Sequence, residues 1–249
     1  MRDLDEALAR VYGLRGGPVR DTPAPAAPPP PHFSVEPAPA AVVPRWPETV
    51  LHLERAHGAR FERLADVLVE ARHRQQLRIL LFTSCHRAEG RTTLVLTLAR
   101  ALARRPLRSL IVDADLTGPM LARQLGLRPS AGLDDVVEGG QALAEAVIAT
   151  ADASLSVLPL RAAVAQPREF LAAPGWALTM ARLRREFDLV LLDGSPLFTG
   201  LSAAVLHTSV DAAILVHNRS LTGQRALVRA QEVLDAGGVP LLGLAETFV

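Results

Sequence analysis

Ile79-Leu80-Leu81-Phe82-Thr83-Ser84-Cys85-His86-Arg87-Ala88-Glu89-Gly90-Arg91-Thr92-Thr93 is the stretch on which the fold turns. Its first four residues are apolar whichever way they face, as a strand inside a sheet requires, and Thr93 runs into the stretch Leu94 to Leu102, which reads as a helix. A loop that holds phosphate between a strand and a helix needs inward backbone amides, a helix amino terminus facing the anion, a cation and a hydroxyl for Mg²⁺. Gly90 offers the close backbone approach, Arg91 the cation and Thr92 the hydroxyl. Against the pattern G-x-x-x-x-G-K-[ST], Cys85 stands at the first glycine and Arg91 at the lysine. Taken alone, an ordinary strand-to-helix turn explains the stretch as well.

On either side, apolar runs alternate with helical patterns. Helices are expected over Glu48 to Arg74, Leu94 to Leu102, Trp176 to Arg185 and Arg225 to Leu234. Strands are expected at Ile79 to Phe82, Leu110 to Val112, Leu155 to Leu158, Leu189 to Leu192, Ala213 to Val216 and Leu241 to Leu244. Strands apolar on both faces and separated by helices predict an α/β fold, a mostly parallel sheet sandwiched by helices, with ligands bound at the carboxyl ends of the strands.

Two of those ends are acidic. The second strand finishes Asp113-Ala114-Asp115 and a later one Asp193-Gly194-Ser195-Pro196. Carboxylates just past a buried run are costly unless they meet solvent or an ion, and Mg²⁺ with a nucleotide is the natural recipient. Helix capping accounts for either aspartate segment separately, but less well for loop and carboxylates together in this order.

With 249 residues, 49% of them hydrophobic, the chain is long enough for a full core plus an appendage. Residues 1–17 read as a short amphipathic helix with Leu4, Leu8 and Val11 on one face, residues 18–47 as a Pro/Ala-rich flexible linker, and residues 48–249 as the globular domain. A net charge of +1 gives no bulk attraction to nucleic acid. The single cysteine, Cys85, excludes an internal disulfide framework and any cysteine-based metal cluster. No apolar run approaches the roughly 18 residues of a membrane span, and the first 20 residues are too charged for a signal peptide, so the expected location is the cytoplasm. The sequence contains no lysine, one asparagine (Asn218) and one tyrosine (Tyr12), so drift in composition contributes to some motif departures. On its tether, Tyr12 is a candidate phosphorylation site.

The order of segments resembles the bacterial tyrosine kinases (BY-kinases) of capsule and exopolysaccharide systems, within the MinD/ParA-like superfamily of P-loop proteins with a deviant Walker A motif. The resemblance runs from about Ala59 to the end. It rests on Leu110-Ile-Val-Asp113-Ala-Asp115-Leu-Thr-Gly-Pro119, Leu125-Gly-Leu, Gly132-Leu-Asp-Asp-Val-Val-Glu-Gly139, Leu155-Ser-Val-Leu-Pro159, Gln166-Pro-Arg-Glu-Phe-Leu171, Phe187-Asp-Leu-Val-Leu-Leu-Asp-Gly-Ser-Pro196 and Asp211-Ala-Ala-Ile-Leu-Val216 with Thr222. It implies ATP and Mg²⁺ as cofactors. Ala88, Glu89, Gly90, Arg91, Thr92 and Thr93 would bind the nucleotide. Thr92, Asp113 and Asp193 would serve the metal, and Asp113, Asp115 and Arg91 would act in catalysis, mainly by positioning and neutralising charge. If ATP is turned over, the implied activity is protein tyrosine kinase or ATPase. The implied partner is a membrane-bound polysaccharide chain-length regulator or activator, which would recruit the protein to the inner membrane.

Departures from the family pattern point to weak or absent autokinase activity. Arg91 replaces the loop lysine, and a planar guanidinium is not equivalent to an ammonium in a tight loop. Ala88 stands where glycine is usual, Thr117 where an arginine is expected, and Thr247 where an adenine-reading asparagine is common. The ring-forming pattern E-x-x-R-x-x-R falls on Ala59, Glu62 and Ala65, and the last residue, Val249, follows a strand without a tyrosine-rich tail. A monomer or dimer is therefore expected rather than a ring. Two other readings stand beside this one. The first is a non-catalytic adaptor that docks a partner through its amino-terminal helix. The second is a partition- or localisation-type ATPase, against which His86 stands where those proteins place a signature lysine.

Overall fold

The expected strands form one sheet. The computed structural model describes residues 41–199 and 209–247. Its strands are β1 (Ile79–Ser84), β2 (Ser109–Ala114), β3 (Ile148–Ala149), β4 (Leu155–Leu158), β5 (Leu189–Gly194), β6 (Ala212–Asn218) and β7 (Leu241–Thr247), in the order β3-β4-β2-β5-β1-β6-β7. All neighbours are parallel except β3 on β4. β1, β2 and β5 are buried along their whole length, which is why their sequences read as continuous apolar runs.

Alternate residues of the strands face two separate cores. Leu80, Phe82, Ile111, Leu191 and Ile214 pack under α1 (Glu48–Gln75) and α2 (Arg91–Leu102). Leu81, Leu110, Val112, Leu192 and Leu215 face the opposite layer, where four short helices, α3 (Leu121–Gln124), α4 (Leu133–Val137), α5 (Leu143–Ala146) and α6 (Pro167–Ala172), lead to α7 (Pro174–Glu186) and then α8 (Gln224–Ala236). That second core holds Trp176 and Met180 of α7 and Leu227 and Leu234 of α8.

The structure departs from the sequence reading in two places. The stretch read as linker already lies against the domain at its end: the Val42 N–H donates to the Ala149 carbonyl, the Arg45 N–H to that of Leu125, and Arg100 lies over the Trp46 ring. Tryptophan supplies a large apolar face that outweighs the extended preference of the flanking prolines. β3 and the four short helices were not expected, since each is too short to show a period. At the positions of the ring-forming pattern, Ala59, Glu62 and Ala65 do not share an open face. Ala59 is exposed, Glu62 pairs with Arg104 and Arg105, and Ala65 is fully buried between α1 and α2. The amino-terminal helix over 1–17 and Tyr12 lie outside the described residues.

Candidate functional site

Because β5 lies between β1 and β2, three strand ends that are distant in sequence finish side by side. Asp193 is in register with Asp113 on one flank and with Phe82 on the other. From the end of β1 the chain makes the loop Cys85 to Gly90 and enters α2. Ala88 (φ 62) and Gly90 (φ 84) both take the left-handed conformation. Glycine accepts it freely, whereas alanine in that region costs roughly 1 kcal/mol or more. Gly90 caps α2 without a side-chain hydrogen bond, so the amino terminus of that helix is not closed by a capping side chain.

Arg91, the first residue of α2, turns inward and is 7% exposed. Its Nη1 donates to Ser84 Oγ (2.5 Å) and the His86 carbonyl (3.4 Å), and its Nη2 to Asp115 Oδ2 (3.0 Å). Nε lies 3.9 Å from Asp193 Oδ1, and neither of these two buried atoms has a hydrogen-bond partner. Thr92 Oγ1 donates to the other Asp193 oxygen at 2.6 Å. Thr93 stands one residue further into α2, where its carbonyl accepts from Thr97 Oγ1 (2.7 Å).

Glu89 points away from this cluster. Its buried carboxylate accepts from the Thr222 hydroxyl, the Asn218 N–H (3.2 Å) and the His86 N–H (2.7 Å), while Thr247 Oγ1 donates to the Glu89 carbonyl (2.8 Å). Glu89 therefore ties the loop to the β6–α8 turn, and Thr247 braces it from β7. Cys85, at the first-glycine position, is buried with its sulfur 3.6 Å from the Ala226 carbonyl; burial, with the Glu89 charge adding to it, pushes the thiol up to about 11.

The aspartates serve different ends. Asp113 accepts the N–H groups of Met120 (3.0 Å) and Leu121 (2.9 Å) on Oδ2 and that of Asp115 (3.3 Å) on Oδ1, so it orders the turn into α3. Asp115 lies between two guanidiniums, Arg91 and Arg87, and also accepts from Ser195 Oγ at 3.1 Å. Burial first, and the neighbouring Asp193 charge second, raise Asp113 to about 7; burial raises Asp193 to about 6 against the opposing pull of Arg91. Ser84, Arg87 and Ser195 belong to the cluster although none was singled out for a role. Ser195 carried a signal in following Asp193 by two residues, but the paths of the Arg87 and Arg91 side chains are set by tertiary packing.

Of the residues expected to serve a nucleotide, Arg91, Thr92, Asp115 and Asp193 come together, Asp113 adjoins them with its oxygens committed to backbone, and Glu89 faces the other way. The unpartnered Arg91 Nε and the α2 amino terminus suit an anion, and the Thr92 hydroxyl with Asp193 suits Mg²⁺. Among the described residues no group of three or more His, Cys, Asp or Glu is arranged to hold a metal, so an ion here would draw most of its ligands from phosphate oxygens and water, the usual habit of Mg²⁺.

Comparison with known proteins gives no matching family model. The chain is 25% identical over 170 residues to "Tyrosine-protein kinase CpsD" of Streptococcus pneumoniae, covering 68% of this chain and 75% of that one. It is 27% identical over 170 residues to "Tyrosine-protein kinase YwqD" of Bacillus subtilis (strain 168), covering 68% and 71%. Among solved structures it superposes on the BceF tyrosine kinase domain with a TM-score of 0.68, 23% identity, and coverage of 83% and 91%. On the septum site-determining protein MinD complexed with Mg-ADP from Pyrococcus horikoshii OT3 the TM-score is 0.56, with 27% identity and coverage of 67% and 68%. No helix among the described residues is long and apolar enough to cross a membrane.

Proposed function

We propose that this chain, which is similar to tyrosine-protein kinases at 25–27% identity and shares their P-loop type of α/β fold, is a BY-kinase-like protein of a capsule or exopolysaccharide system that binds ATP in the loop before α2 and is a weak or inactive autokinase. The single observation that carries this reading is the position of Arg91. Its guanidinium is bonded to Ser84 and Asp115 inside the site, with one N–H left over toward Asp193. A flexible ammonium follows a phosphate as a point charge, whereas a planar fork with two fixed partners holds one geometry. Binding tolerates that better than transfer, which demands alignment with an incoming hydroxyl.

In this reading the α2 amino terminus and Arg91 hold the phosphates, and Thr92 with Asp193 holds Mg²⁺, which when bound would neutralise phosphate charge. Asp115 would orient a hydroxyl, yet two arginines already occupy its oxygens. Asp113 fixes the turn that carries it. A membrane-linked activator as partner rests on the family resemblance alone. The partition-type alternative draws on the weaker MinD superposition, while the adaptor reading rests on residues outside those described.

Calorimetric titration of the full chain with ATP and Mg²⁺ tests binding, with micromolar to millimolar affinity expected; no heat at millimolar nucleotide rejects the reading. Incubation with ATP and Mg²⁺ followed by mass spectrometry tests transfer, with Tyr12 unmodified or modified only in trace. Stoichiometric phosphotyrosine would reject the weak-kinase part alone.

A further inference from the structure

We propose that Arg87 is a second phosphate-binding cation of this site, held in reserve on Asp115 and Gly118 and turning to the anion when it enters. The proposal rests on the nucleotide-binding reading and adds a residue to it.

The geometry around Asp115 shows a surplus of donors. Its Oδ1 receives Arg87 Nη2 (3.4 Å), Ser195 Oγ (3.1 Å), Thr117 Oγ1 (3.1 Å) and the Thr117 N–H (3.3 Å), while Oδ2 receives Arg87 Nη1 (3.2 Å) and Arg91 Nη2 (3.0 Å). A carboxylate offers about four lone-pair sites in all, so four donors crowd an oxygen with room for about two. The longest contact is one of Arg87's. Within the same cluster Arg91 Nε, on a side chain more than nine-tenths buried, has no acceptor. Among the described residues Asp193 Oδ1 is the one open acceptor nearby, 3.9 Å from that Nε, so the donors crowded on Asp115 remain in excess and are chemically matched to phosphate oxygens.

The two arginines differ in freedom. Arg91 is 7% exposed and fixed at the head of a helix, whereas the Arg87 side chain is 49% exposed and stands on the loop itself, next to the left-handed Ala88. Exchanging partners costs a solvated guanidinium little, and Asp115 keeps Arg91 and Ser195 when Arg87 leaves. The resting position is also shaped for it. A Cβ on Gly118 would come within 2.7 Å of Arg87 Nη1, 2.8 Å of Nη2 and 3.0 Å of Cζ, so this glycine leaves room for the guanidinium, and Arg87 Nη2 bonds Thr117 Oγ1 at 2.7 Å from the same turn.

The test is titration of the full-length chain and its Arg87→Ala, Arg87→Lys and Gly118→Ala variants with ATP and, separately, with adenosine, alongside urea denaturation of each. Expected is an affinity for ATP weakened about tenfold in Arg87→Ala, partly recovered in Arg87→Lys, with adenosine affinity and unfolding midpoint unmoved. Gly118→Ala crowds only the resting position of Arg87, so it should tighten ATP binding modestly in the wild-type background and have no effect once Arg87 is alanine. Wild type and Arg87→Ala binding ATP equally would overturn the role of Arg87 and leave the nucleotide-binding reading standing. Equal losses for ATP and adenosine would also overturn it, by making Arg87 a brace of the loop. No ATP binding by the wild type would overturn both.

Discussion

Two arginine–carboxylate networks stand at opposite ends of α2, and they are built to different ends. At the carboxyl end, Arg100, Arg104 and Arg105 face Glu54, Glu62 and Asp66 of α1; Arg105 alone reaches Asp66 at 2.7 Å and also Glu62. These pairs lie at the solvent edge of two helices that already bury Leu64, Leu68, Leu94 and Leu98 between them and the sheet. At the amino end, Arg91 meets Asp115 and Asp193 where all three side chains are 7% exposed or less. The first network adds modestly to packing that holds without it. The second pays a desolvation cost that its own attraction does not clearly repay, and it leaves two polar atoms unmatched. Polarity retained at such a cost fits the nucleotide-binding reading proposed above.

The sharpest way to break this contrast is to remove one arginine from each end. Arg91→Ala leaves Asp193 without a countercharge in the interior and takes one of two arginines from Asp115, and should lower stability in urea by about 3 kcal/mol. Arg105→Ala should cost only about 1 kcal/mol, since its partners regain water. Equal losses would abolish the distinction.

Next is a pH effect confined to the buried end. Asp113 and Asp193 are raised from 3.8 to about 7 and about 6, so the folded state holds protons that the unfolded chain has released. Their contribution is complete below the unfolded value near 3.8 and is lost as pH rises through 6 and 7, so the ligand-free protein should be about 3 kcal/mol less stable at pH 8 than at pH 5.5. Thermal melts across that range should show the loss, and Asp113→Asn should flatten it. The smallest effect expected is at the loop. Ala88→Gly relieves the left-handed strain but adds unfolded-state entropy, giving a gain below about 1 kcal/mol by chemical denaturation.

Much of this was legible in the residues. The strand runs announced a parallel sheet because both faces of β1, β2 and β5 are covered, and the loop between Phe82 and Leu94 announced a strand-to-helix turn. Burial also explains part of what was hidden. α3 to α6 and β3 are held by neighbours such as Pro159, whose carbonyl takes the Leu133 N–H, rather than by any period of their own. Asp113 looked like a ligand because its sequence position suits one; that the chain after Pro119 brings two N–H groups back onto it depends on the path of the turn. Glu89 sits inside the loop motif, yet its partner Thr222 is 133 residues away. Side-chain direction at such places is fixed by the assembled fold, and local pattern carries no trace of it.

The central place of β5 also governs when this site comes into being. β1 and β2 are synthesised first, yet they never touch, and the strand that joins them begins at Leu189. A nascent chain stopped short of that point holds two halves of a sheet with a gap between them, and its loop and its acidic turn have no fixed separation. The pocket therefore waits on pairings between residues about 80 to 110 positions apart. Any fragment made to isolate the loop would have to carry β5 with it.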